Sequence, residues 1–142
     1  MSGHVDPSRD QFAAFATSDV GGPVQMLNLL RFRDEAAYAD GKAPRSDMTG
    51  AEAYREYAKA SAPFFQAASG VMAWSGKPVG GVIGPPGERW DAGFIAEYPS
   101  LGHFLSMVKD EGYQAIVYHR QAAVADSRLY GFEKTEAGGV FG

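Results

Sequence analysis

Between residues 24 and 132 short apolar runs alternate with amphipathic helical ones, and the order of that alternation restricts the fold more than any other feature. VQMLNLLRF, residues 24–32, lies between Gly21-Gly22-Pro23 and a polar stretch; its length and flanks predict a buried strand. Residues 34–48 are polar, small and rich in turn formers. They read as a long loop with one helical turn around Glu35–Ala39. Thr49-Gly50-Ala51-Glu52 has the pattern of a capping box, after which Tyr54, Tyr57, Ala58, Ser61, Phe65 and Ala68 recur at helical spacing. Pro63 falls inside that helix, where it removes a hydrogen bond and should kink the axis. Ser69-Gly70 ends it. VMAWSGK (71–77) and WDAGFIAEY (90–98) are strands, joined by a Gly/Pro-rich segment. Ser100 then caps a helix carrying Leu101, Phe104, Leu105 and Val108. The helix breaks at Asp110-Glu111-Gly112 and resumes through Tyr113, Ile116, Val117 and Arg120. SRLYGF, residues 127–132, is the last strand.

Asp6-Pro7 opens a shorter N-terminal helix, expected over residues 6–19, because an aspartate cap followed by proline suits a first turn. The chain therefore reads as one domain, 1–142: that helix, a unit at 24–132 and a flexible tail at 133–142. Strand, helix, strand, strand, helix, strand is the split βαβ order of an α+β ferredoxin-like protomer with a four-stranded antiparallel sheet. Its helices cover one sheet face. The other, expected to bear Leu27, Leu29, Ile95 and Leu129, would leave an apolar patch that soluble monomers avoid. Two copies pairing sheet to sheet bury it, so the expected assembly is a homodimer in the form of a dimeric α/β barrel.

Charge excludes several partners. The chain carries a net charge of −4 over 142 residues, with its 13 basic residues scattered, so it offers no stripe for a phosphate backbone and nucleic acid is not expected. There is no cysteine, which excludes disulfides, thiolate metal sites and a cysteine nucleophile and fits a reducing compartment. The N-terminus has no signal-peptide pattern, and no apolar run approaches the ~20 residues of a membrane helix. A cytoplasmic location without membrane contact is expected.

The motifs in their order resemble a known family. NLLRF on the first strand, GAEAYREYAKASAP on the first long helix, then WSGK, WD, EYPS, FLSMVKDEGYQ and finally R-x-A-A-x-x-D-S-R-L are together similar to the domain-of-unknown-function 1330 family. That resemblance implies a ferredoxin-like protomer within the dimeric α/β-barrel superfamily, whose members include cofactor-free monooxygenases, lactone isomerases, haem-binding peroxidases and stress proteins. The Gly/Pro-rich stretch at 80–87 and the N-terminal helix go beyond the minimal unit.

Nucleotide, α/β-hydrolase and zincin motifs are absent. His4, His103 and His119 have no ligand spacing, so neither a metal nor a cofactor is expected. His103, in the first turn after Ser100, is a candidate catalytic base if the helix end and burial keep it neutral. Asn28 interrupts the strand face Val24, Met26, Leu30, Phe32 and is a candidate to hold a substrate carbonyl. Trp74 and Trp90, with Tyr54, Tyr57, Tyr98 and Tyr113, form an aromatic supply suited to a flat ligand, and Tyr57, Trp74 and Tyr113 are the candidates to bind it. Arg120 shares a helical stripe with Tyr113, Ile116 and Val117, which aims it at the sheet. Such a guanidinium needs an anion, either a carboxylate such as Asp91 or a bound acid. The expected function is a cofactor-independent oxygenase or isomerase acting on a small aromatic or carbonyl compound; the alternative is a non-catalytic ligand-binding or stress-associated homodimer.

Overall fold

The computed structural model describes residues 3–142; Met1 and Ser2, with which the expected domain begins, lie outside them. The elements follow in the order α1 (Arg9–Ala16), β1 (Val24–Phe32), α2 (Gly50–Ala67), β2 (Val71–Gly76), β3 (Ala92–Tyr98), α3 (Leu101–Lys109), α4 (Glu111–Ile116), α5 (Tyr118–Ala123) and β4 (Val124–Glu133), before a 3-10 turn at Gly139–Phe141. The sheet is antiparallel with strand order β2-β3-β1-β4. This is the ferredoxin-like α+β arrangement.

Local chemistry explains most boundaries. Thr49 accepts the Glu52 N–H while the Glu52 side chain accepts the Thr49 N–H, a complete capping box. Pro63 does lie inside α2. At α1 the cap is Ser8, not Asp6: its hydroxyl accepts the Gln11 N–H at 3.1 Å, and the helix runs 9–16 rather than 6–19. No helical turn forms over 35–39. Two backbone bonds, Ala36 N–H to Met48 and Ala37 N–H to Ala122, pin that loop instead. β4 begins at Val124, three residues before the expected start, and continues to Glu133, the first residue of the expected flexible tail. Asp110 splits the last helical region by taking the Gly112 and Tyr113 N–H groups on its side chain, so α4 starts on a new axis.

Side chains alternate between the two faces of β1. Val24, Met26 and Leu30 are buried under the helices in two adjoining clusters. Leu27 and Leu29 point the other way. Leu27 stands opposite Ile95 and Tyr130, and Leu29 opposite Gly93 and Arg128, and among the described residues no helix covers this face. Register corrects one expected member. Leu129 stands opposite Asn28, on the helix-covered face, where Phe15 of α1 lies over nearby Gly131. Tyr130 and Phe132, both more than half exposed, take its place on the open face.

Candidate functional site

α2 and the α4–α5 segment lie side by side over the helix-covered face of the sheet, and their facing side chains are phenols and one cation. Asp110's cap directs Tyr113 of α4 inward, where its hydroxyl meets that of Tyr57 at 2.7 Å. One turn earlier on α2, Tyr54 packs its ring against Tyr57 at 5.2 Å between centroids. Burial raises the Tyr54 hydroxyl to about 12 despite the opposing pull of Arg120, and raises that of Tyr57 further, with the Tyr113 phenol adding to it. Both therefore stay neutral donors at physiological pH. Among the described residues the Tyr54 hydroxyl makes no hydrogen bond.

Arg120 of α5 points toward the sheet, as its stripe predicts, but its partner is not a carboxylate. Nη1 donates to the Val5 carbonyl at 2.5 Å, and Nη2 donates weakly to Ser127 Oγ at 3.4 Å. Ser127 Oγ in turn donates to the His4 carbonyl at 2.6 Å. Asp91, the expected partner, is used elsewhere: its carboxylate accepts the Phe32 N–H at 2.9 Å and faces Arg89 at 3.4 Å. Among the described residues no carboxylate forms an ion pair with Arg120. A part-buried guanidinium thus rests on neutral oxygens beside two neutral phenols, an arrangement that attracts an anion or a polarised carbonyl.

The remaining candidates separate from this group. Asn28 is part-buried on the helix-covered face between Met26 and Leu30, and its amide donates to the carbonyl of Met26 at 3.0 Å. Trp74 lies on the opposite side of the sheet. A bulge between Met72 and Trp74 shifts the register so that Trp74 faces Ile95, and its indole lies along Gly76 and Gly93. The expectation of one pocket holding Trp74 with Tyr57 and Tyr113 is corrected accordingly. His103 is exposed, with Nδ1 2.7 Å from Ser100 Oγ. It borders a small groove of about 110 Å³ with Phe64, Ala67 and Met107, which none of the phenols lines. A larger open groove of about 410 Å³ lies between α1 and α3, lined by Pro7, Ser8, Arg9, Phe12, Ala13 and Val108. Neither groove includes Asn28, Tyr57, Tyr113 or Arg120.

Sequence reasoning placed Tyr54 only in the general aromatic supply, missed Ser127 as a member of the Arg120 group, and set His119 aside for want of ligand spacing. His119 is buried, stacks on Tyr118 at 4.2 Å and bonds the Tyr38 hydroxyl through Nδ1 at 2.6 Å. Burial holds its pKa down, with Glu56 opposing. Its position next to Arg120 in the chain was the available signal. Among the described residues no three His, Asp or Glu side chains gather as a metal site, and no helix is long and apolar enough to cross a membrane.

Fold and site together define a ferredoxin-like α+β protein with an uncovered sheet face and a cation among phenols beneath its helices. The chain belongs to the family described as domain of unknown function (DUF1330), which matches residues 36–130. It is similar to RPA0582, a protein of unknown function from Rhodopseudomonas palustris. One crystal structure of that protein has a TM-score of 0.86 at 45% identity over 95% of this chain and 99% of the other. The crystal structure of its methylated form gives 0.88 at 46% identity over 97% and 99%. A dimeric protein of unknown function with a ferredoxin-like fold from Bacteroides fragilis is more distant, at TM-score 0.49, 15% identity and coverage of 82% of this chain and 100% of that one. No curated protein matches.

Proposed function

We propose that the protein is a cytoplasmic homodimer that binds a small organic acid or carbonyl compound between α2, α5 and the sheet in each copy. The observation that carries this reading is Arg120. Its charge meets only a backbone carbonyl and a hydroxyl, beside the unbonded hydroxyl of Tyr54. A ligand carboxylate would give the guanidinium the bidentate partner that the chain withholds, and the flanking phenols suit a flat, partly apolar body. The apolar face around Leu27, Leu29 and Ile95, which no element among the described residues covers, supports the homodimer.

A catalytic reading, in which the same site serves a cofactor-independent oxygenase or isomerase, is favoured by one feature, the Tyr57–Tyr113 hydroxyl pair at 2.7 Å. Coupled neutral phenols can stabilise an enolate-like oxygen. Binding is the better-supported reading, because His103, the expected base, is exposed and borders a groove that neither Arg120 nor the phenols line.

A thermal-shift screen of small aromatic and aliphatic acids against the parent and Arg120→Met tests the proposal. Acids should raise the parent's melting temperature and leave the folded variant's unchanged. Equal shifts in both proteins would reject Arg120 as the ligand-binding group.

A further inference from the structure

The connection between β2 and β3, residues 77–91, is far longer than a hairpin needs, and its composition is unlike that of a solvent loop. From Pro78 to Gly87 it reads PVGGVIGPPG, without one charged or hydrogen-bonding side chain. Val79, Val82 and Ile83 are 101%, 98% and 97% exposed. No other part of the same copy touches their side chains enough to hide them. Single exposed aliphatic residues are ordinary, but three at full exposure within five positions are not. Gly80 (φ 156°), Gly84 (φ 153°) and Gly87 (φ 82°) hold backbone conformations that other residues rarely adopt. Pro85 and Pro86 stiffen the turn between the last two. The segment's shape is therefore set to carry the aliphatic side chains away from its own domain.

Both roots of this segment sit on the open sheet face. On the outgoing side Trp74 and Gly76 face Ile95 and Gly93. On the returning side Glu88 pairs with Arg128 at 3.4 Å, and the Arg128 guanidinium lies 5.1 Å above the Trp90 ring. Arg128 itself stands opposite Leu29, at the middle of the apolar face. The returning strand is pinned again where Asp91 exchanges bonds with the backbone of Leu30 and Phe32. A doubled-back chain of this length reaches about 20 Å beyond its roots, so it projects past the rim of the face that lacks a cover.

We infer that residues 78–87 form an arm that docks its Val79, Val82 and Ile83 side chains onto a second copy of this chain. The inference rests on the homodimer proposed above. A two-fold dimer built on the open face brings a second copy directly alongside the roots of the arm, and symmetry makes the exchange reciprocal. Covering the arm removes its apolar surface from water and adds to the interface without any change in the sheet. A loop poised for a small ligand would carry polar groups to orient it; this one has none but its backbone.

The test uses the full chain with a photo-crosslinking benzoylphenylalanine at Ile83, a position whose side chain supports nothing in its own copy. Irradiation at low micromolar concentration should give a covalent species of twice the chain mass on a denaturing gel, in a yield that does not fall on dilution. In parallel, the Val82→Asp/Ile83→Asp protein should remain folded and dissociate at least tenfold more readily in sedimentation equilibrium. A sample that scatters light as a dimer yet gives no covalent dimer, with unchanged dissociation of the Asp variant, would overturn the arm and leave the dimer standing. A monomeric mass for the unmodified chain would overturn both.

Discussion

Arg120 Nη1 and the carbonyl oxygen of Val5 lie 2.5 Å apart, although 115 residues separate them in the chain. The extended segment before α1 holds this carbonyl in place by lying along the start of β4. The His4 N–H donates to Asp126 at 2.9 Å, Ser127 donates back to the His4 carbonyl, and Gly3 passes so close to Ala125 that no Cβ would fit. One carbonyl and one hydroxyl oxygen accept the guanidinium's hydrogen bonds and leave its charge uncompensated.

Replacing Arg120 by Met should therefore alter stability by no more than about 1.5–3 kcal/mol, the usual worth of hydrogen bonds to a charged group. Breaking a buried ion pair would instead cost about 3–5 kcal/mol. Urea unfolding of parent and variant distinguishes the two, and a loss in the upper range would contradict the absence of a carboxylate partner. Hydrogen exchange at residues 3–6 should speed up in the same variant.

Tyr57 and Tyr113 should couple. Either single Phe substitution leaves a buried hydroxyl without its partner and should cost about 1–3 kcal/mol. The double substitution leaves no orphan, so it should cost less than the sum of the two. A double-mutant cycle by denaturant unfolding should give a coupling of about 0.5–3 kcal/mol; strict additivity would mean that the 2.7 Å contact carries no energy.

Stability should fall in two separate acid ranges. Burial lowers the pKa of His119, so the folded protein resists protonating a group that the unfolded chain protonates near pH 6.5. Its contribution is full above about pH 6.5 and is lost as pH drops toward the lowered folded value. Asp126 behaves as an acid of the opposite kind. Burial alone would raise its pKa, but the His4 N–H and Arg128 outweigh it and hold the carboxylate below its usual range. That contribution persists above about pH 4 and disappears as pH falls through the lowered value. Urea midpoints measured from pH 7 to 5 should decline for the parent and decline less for His119→Gln. An identical slope in both would remove His119 from the account.

Leu29 stands on the open face, opposite Gly93 and Arg128, so Leu29→Glu should spare the fold while placing two like charges in the proposed dimer interface. Light scattering should give twice the 15.2 kDa chain mass for the parent and a single chain mass for the variant. A variant that is monomeric and fully folded by circular dichroism supports the face as the interface; a dimeric one does not.

Much of the fold was legible because it is written in local signals. The Thr49–Glu52 box, Pro63 within α2 and the Ser100 cap are all read from four residues or fewer, and each is found in place. Leu27, Leu29 and Ile95 were assigned to the open face by simple alternation. Alternation failed where pairing register intervened. Leu129 faces the helices because it stands opposite Asn28, and Trp74 faces away from them because a bulge adds a residue before it. The site was half legible. The stripe from Tyr113 to Arg120 gave the direction of the guanidinium. Its partners are the Val5 carbonyl from the other end of the chain and the Ser127 hydroxyl on the next strand, and neither leaves a mark in composition or spacing. Ser8 displaced Asp6 as the first cap for a similar reason: two capping residues two positions apart compete, and the hydroxyl that reaches the Gln11 N–H wins.

The most direct measurement for the central claim is a titration of the isotopically labelled homodimer with benzoate, followed residue by residue by nuclear magnetic resonance. A ligand held by Arg120 should shift the Arg120 side-chain Nε–H, the Ser127 amide and the amides of Val5 and Tyr54 together, with one common dissociation constant. Shifts centred on Phe12, Ala13 and Val108, in the open groove between α1 and α3, or none up to the solubility of the acid, would contradict the account.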